Sequence, residues 1–133
     1  MSHLQYFDYP GFGERVRKET YYSQAVRIDN RIEISGQGGW DPLTESIPSD
    51  PKSQIAQACA NVELALQKAG GKGWEQVYKV RAYVTSLDPE LLAALAEQLR
   101  RYCPRHQPLL TGVQVAGLYR GMAVELEVEA YLG

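Results

Sequence analysis

The chain has 133 residues, 44% of them apolar, and a formal charge of −2; it is long enough to bury one core without disulfide or metal, and too apolar for a disordered segment. Basic residues are scattered, paired at most as in Arg100-Arg101, which argues against a nucleic-acid binder with its concentrated basic face. No stretch suits a membrane span, no apolar leader core opens the chain, and the two cysteines, Cys59 and Cys103, fit a reducing compartment, so a cytoplasmic protein is expected.

Residues 1–133 read as a single domain. Residues 1–20 mix Tyr, Pro, Gly and charge without a period and are expected to form an irregular arm. "YYSQAVRI" and "RIEISG" predict two strands joined by a turn at Asp29-Asn30. "GQGGWDPLTESIPSDP" then reads as a loop of about fifteen residues, a length that inside a compact domain is often functional. Trp40 on that loop either closes over an apolar ligand or anchors the loop to the domain.

Asp50 at an N-cap and Pro51 at the next position open a helix. Ile55, Cys59, Val62 and Leu66 carry its stripe, and Gly70-Gly71 stops it. "VYKVRAYVT" alternates as a strand. Asp88-Pro89 opens a second helix with a stripe of Leu92, Leu95, Leu99 and Tyr102, closed by Pro104. "LLTGVQVAGL" and "AVELEVEAYL" complete the chain as strands, with a turn at Tyr119-Arg120-Gly121.

The expected order is ββαβαββ, an α+β domain with one sheet and both helices on one face. Val80, Ala82, Val84, Val124, Leu126 and Val128 would meet the helices. Lys79, Arg81, Tyr83, Glu125, Glu127 and Glu129 would line the other face. A solvated sheet surface accounts for that polar row without any function. His3 and His106, the only histidines, have no metal-ligand spacing with the cysteines, so no metal site is predicted. His106 reads as a loop residue, Cys59 as a buried structural thiol, and Cys103 as a candidate exposed thiol near a helix end.

Tyr22, "ISGQ" (34–37), "QACANVELALQKAGG" (57–71), "VYKVRAYVTSL" (77–87), Pro108, "GVQVAGL" (112–118) and "VELEVEAYL" occur in one order and spacing. Together they resemble the Rid family, the YjgF-like reactive-intermediate (enamine/imine) deaminases. The resemblance covers about residues 21–132 and leaves the arm outside. It implies a chorismate-mutase-like fold, a homotrimer whose helix-free sheet faces turn inward, and a small-molecule cleft at each subunit interface. It implies no cofactor, since water is the nucleophile.

Carried over residue by residue, the resemblance places the acid/base at Glu125, where a half-buried carboxylate relays a proton near neutral pH. Without it, Glu125 reads as a solvated or ion-paired residue. Tyr22 and Ser35 match cleft positions, as does Gly36, where backbone approaches the ligand. Ser35 and Gly36 equally suit a backbone-bonded hydroxyl and a turn. The family's carboxylate-clamping arginine is Leu110 here, and the cysteine two residues on is Gly112. The helical asparagine has no counterpart near Ala94. A leucine holds no carboxylate, so the expected substrate is an imine or enamine without that handle. The alternatives are a trimer that binds without catalysis, or replacement of the clamp by Arg81 or Arg120.

Overall fold

The structure is a computed structural model, and residues 3–133 are described. Among them, β1 (Gln5–Phe7), α1 (Phe12–Glu19), β2 (Ala25–Ile28), β3 (Arg31–Ile34) and β4 (Gln37–Gly38) precede α2 (Pro51–Lys68). Then follow β5 (Val77–Val84), α3 (Pro89–Tyr102), β6 (Leu109–Gln114) and β7 (Val124–Tyr131). Short 3-10 turns occupy Trp74–Gln76 and Tyr119–Gly121. The class is α+β. One mixed sheet runs β1-β2-β3-β7-β5-β6, with β4 also paired to β7. Only β5 and β6 are parallel; the other pairs are antiparallel.

The last strand in sequence lies in the middle of the sheet. One side of β7 pairs with β5 along its whole length, the other with β3 and then β4. Its alternating residues divide as the sequence predicts. Val124, Leu126 and Val128, with Val80, Ala82 and Val84, are buried in the core. α2 packs over β3, β4 and β7, and α3 packs against α2. Both helices start at the predicted caps: Ser53 N–H donates to Asp50 at 2.7 Å and Glu90 N–H to Asp88 at 2.9 Å.

The expectation of an irregular arm over residues 1–20 is overturned. β1 extends the sheet through β2, and α1 buries Phe12, Gly13 and Val16 in the same core. The cause is tertiary. No side chain caps α1; its start is held by Phe12 N–H bonding the Pro42 carbonyl at 2.8 Å, thirty residues on in the chain. Gly11 takes φ 80° there, and a Cβ would run into the Pro42 carbonyl oxygen. With only Phe12 and Val16 as an apolar pair, eight residues give too little local signal to reveal the helix. Cys103 is likewise buried rather than exposed, its Sγ 3.8 Å from the Trp74 carbonyl.

Loop 39–50 is pinned by buried amides of α2. Asn61 Nδ2 donates to the carbonyls of Gly38 and Trp40 at 2.9 and 2.7 Å. Gln54 accepts from Ala123 N–H and donates to the Pro48 carbonyl, both at 2.8 Å. Trp40 is thereby fixed in the core, stacked on Phe12 at 4.0 Å between ring centroids, its indole N–H donating to the Tyr9 hydroxyl at 3.0 Å.

Candidate active site

The polar face of the sheet is a charge ladder. Arg81 reaches Glu127 at 3.4 Å and Glu129 at 3.6 Å, and Lys79 reaches Glu129 at 4.0 Å. The Tyr83 hydroxyl donates to Glu127 at 3.0 Å and the Tyr78 hydroxyl to Glu129 at 3.2 Å. Two of the three glutamates on β7 thus have cations and phenols. Arg81 is committed to them, and Arg120 bonds the Glu45 carbonyl at 2.9 Å.

Glu125 differs. It borders a cavity of about 230 Å³ formed with Phe12, Arg15, Val16, Thr20, Tyr22, Trp40 and Tyr119. A volume below that of drug-sized pockets restricts it to small ligands. Burial raises the Glu125 pKa above the usual glutamate value, and the nearby Glu127 carboxylate raises it further. Its side chain lies directly over Gly36: a Cβ there would overlap the Glu125 carboxylate and stand 3.0 Å from its Cγ. Gly36 is therefore what lets the carboxyl group sit down against the β3–β4 connection.

Tyr22 stands between this cavity and an adjoining cleft of about 590 Å³ lined by Tyr6, Tyr21, Ser35, Glu33 and Glu127, among others. Burial raises the Tyr22 pKa, so the phenol keeps its proton. Ser35 lines that cleft, and its hydroxyl donates to the Ser23 carbonyl at 2.6 Å. Trp40 is a buried anchor whose ring forms a wall of the cavity, with Tyr119 edge-on to it at 6.4 Å.

Within one chain, Tyr22, Gly36, Trp40 and Glu125 come together, with Ser35 beside them. Leu110 and Gly112 do not. They lie on β6, across β5 and β7 from β3 and β4, on a strand exposed at all six positions. A hollow of about 510 Å³ near the starts of α2 and α3 includes the cap residues Asp50 and Asp88 and is not lined by Glu125. Both thiols are inert by burial, Cys59 pushed up to about 12 and Cys103 to about 11. His106 bonds the Val77 carbonyl at 2.9 Å. Among the described residues, no three His, Cys, Asp or Glu side chains are grouped to hold a metal, and no helix is long and apolar enough to cross a membrane.

Sequence reasoning missed Arg15, Glu45 and Tyr119. The Arg15–Glu19 spacing of four residues and the Phe12–Val16 pair were the available signs, and they lie in the segment read as irregular.

The charge on Glu127 is one cause of the Glu125 shift, which gives a direct test. Glu127→Gln is expected to lower the Glu125 pKa, moving any acid limb that Glu125 sets in a pH–rate profile to lower pH.

Comparison with known proteins extends these observations. A RutC family protein of Pyrococcus abyssi is 32% identical over 111 residues, 83% of this chain and 85% of that one. The 2-iminobutanoate/2-iminopropanoate deaminase of Capra hircus is 35% identical over 113 residues, 84% of this chain and 80% of that one. The crystal structure of RidA from the Antarctic bacterium Psychrobacter sp. PAMC 21119 superposes with a TM-score of 0.77 at 30% identity, covering 98% of this chain and 99% of that one. The YjgF gene product of E. coli gives 0.75 at 29%, covering 83% and 87%. The sequence model of the family described as Endoribonuclease L-PSP matches residues 12–132, which takes in α1 and with it the helical wall of the Glu125 cavity. By that match and those identities, this chain belongs to the endoribonuclease L-PSP family, the Rid or YjgF-like proteins.

Proposed function

We propose that the protein hydrolyses a small imine, or the enamine in equilibrium with it, to a carbonyl compound and ammonia, with Glu125 as acid/base. The observation that carries this reading is a half-buried carboxylate of raised pKa on the wall of a small cavity rich in aromatic and hydroxyl groups. The deaminase named for the Capra hircus relative is consistent with it.

Glu125 takes a proton from water as the water oxygen bonds to the imine carbon. The π pair of the C=N bond moves to nitrogen, which accepts the proton. In the carbinolamine so formed, the hydroxyl proton passes to nitrogen by way of Glu125. The C–N bond breaks, C=O forms, and ammonia leaves. Tyr22, which keeps its proton, orients the water or the nitrogen.

In this reading the protein is a homotrimer. An adjoining copy lays β6 near the cavity, where Leu110 and Gly112 form an apolar wall with no cation, so the substrate is not held from that side. The exposure of Leu109, Leu110 and Val113 on an edge strand whose outer side has no partner strand among the described residues supports a cover of this kind. The test is decay of an imine generated in situ, with and without protein, alongside sedimentation. Clear acceleration by a trimer supports the proposal; a stable monomer, or decay at the spontaneous rate, overturns it. The second outcome with a trimer still present would favour binding without catalysis.

A further inference from the structure

We infer that Arg15 is the anion anchor of this site, and that Glu45 occupies it until a substrate carboxylate takes its place. The inference rests on the imine-hydrolase reading for its substrate, but its geometry stands apart from that reading. Arg15 lines the Glu125 cavity and is the one cationic side chain among its described lining residues. The cavity therefore has a cation and an acid/base on its walls, with aromatic and hydroxyl groups between. Such a layout sorts a bipolar ligand by its charged end.

The guanidinium is already shaped for a carboxylate. Arg15 Nε donates to Glu45 Oε2 and an Nη to Glu45 Oε1, both at 2.7 Å. This is the two-pronged pairing that guanidinium makes with a free carboxylate. The other Nη meets Glu19 at 2.7 Å, on a side chain largely exposed to solvent. Phe12 lies under the guanidinium at 5.7 Å and holds its plane.

Glu45 is held in place by its own loop rather than by Arg15. It sits at φ 64°, a left-handed conformation unfavourable for a residue with a Cβ. The turn that imposes it is independent of Arg15: Asp41 accepts from the N–H groups of Leu43 and Thr44 at 2.8 and 2.9 Å, and Glu45 N–H bonds the Asp41 carbonyl at 2.9 Å. The carboxylate can thus leave while the loop stays. Arg120, already bonded to the Glu45 carbonyl, stands next to it as the cation to receive it. Exchange of one carboxylate for another keeps the two-pronged side of Arg15 paired, with Glu19 still on its other Nη.

The anchor makes the substrate a carboxylate-bearing imine held from α1 of its own chain, where Leu110 offers nothing. The experiment compares a 2-imino acid, formed in situ from its amino acid by an amino-acid oxidase, with an uncharged aldimine formed by an amine oxidase. The readout is the ratio of kcat/KM for the acid to that for the neutral imine. Arg15→Met is expected to lower this ratio about tenfold through KM. Glu45→Gln, which frees the fork, is expected to raise it. A ratio unchanged by both variants, or a change common to both substrates, overturns the anchor. If the wild type hydrolyses neither imine, calorimetric titration with a 2-oxo acid and the matching neutral ketone decides. Binding of the acid that weakens in Arg15→Met and tightens in Glu45→Gln keeps the anchor and removes the hydrolase. Equal binding of acid and ketone removes the anchor.

Discussion

Glu125→Gln is expected to lower kcat for imine hydrolysis by about 10²–10⁴-fold, the usual worth of a positioned acid/base, while affinity for the product-like 2-oxo compound stays within a few-fold. The substitution keeps size and hydrogen-bonding reach over Gly36 and removes only the titration. It also carries an internal control. The folded pKa of Glu125 is raised by burial and by Glu127, so ionisation opposes folding. The associated stability is full below the ordinary glutamate value of 4.5 and is lost as pH rises from there through the folded pKa. Glutamine has no such loss. The variant should therefore be at least as stable as the wild type at neutral pH by denaturant titration, and lost turnover cannot be charged to unfolding. The wild-type acid limb should lie above 4.5 and vanish in the variant. Unchanged turnover would remove Glu125 from the chemistry.

Trp40→Ala is expected to cost about 3–5 kcal/mol of folding stability, as for other large aromatic truncations in a core. The indole is 2% exposed, stacked on Phe12, and donates to the Tyr9 hydroxyl. That hydroxyl in turn donates to Gln37 at 2.7 Å, and Gln37 donates to Gln24 at 2.8 Å. The truncation thus leaves a hole and cuts a buried polar chain at its head. Trp40→Phe keeps most of the stack and loses one hydrogen bond, which should cost about 1–2 kcal/mol. Urea titrations of the two variants check both figures. A closing flap would behave otherwise: stability would hold and KM alone would rise.

The elements that sequence displays best are those whose signal is local. The helix entries at Asp50-Pro51 and Asp88-Pro89 are written in side chains that bond their own neighbours. The alternation of β7 needs only a two-sided sheet. Glu125, Tyr22 and Gly36 were singled out only through resemblance, and Gly36 acquires its reason only in space, under a carboxyl group from a strand about ninety residues later. Residues 5–19 were not legible because their order comes from distant partners: β1 from β2, and α1 from the Pro42 carbonyl and the aromatic stack. Trp40 was read as either flap or anchor because a glycine-rich context suggests mobility; Asn61 and Gln54, which fix that loop, carry no mark in sequence of what they hold. Arg81 and Arg120 were considered as cations for the site, but neither is among the residues lining the cavity, where the cation is Arg15.

The docking of α1 through Pro42 and Phe12 has a practical consequence for engineering. Glu125, the acid/base of the proposed reaction, is built into the sheet, whereas the Arg15 guanidinium arrives on a short segment joined to that sheet chiefly by contacts around Phe12 and Val16. If the proposed roles hold, chemistry and selectivity are separable modules. Grafting a different residue 9–20 segment onto the same scaffold, with the Tyr9, Phe12 and Val16 contacts preserved, is expected to change which molecules the cavity accepts while leaving Glu125 in place. Trimming the chain back to Tyr21 would by the same logic delete a wall of the Glu125 cavity rather than a dispensable tail.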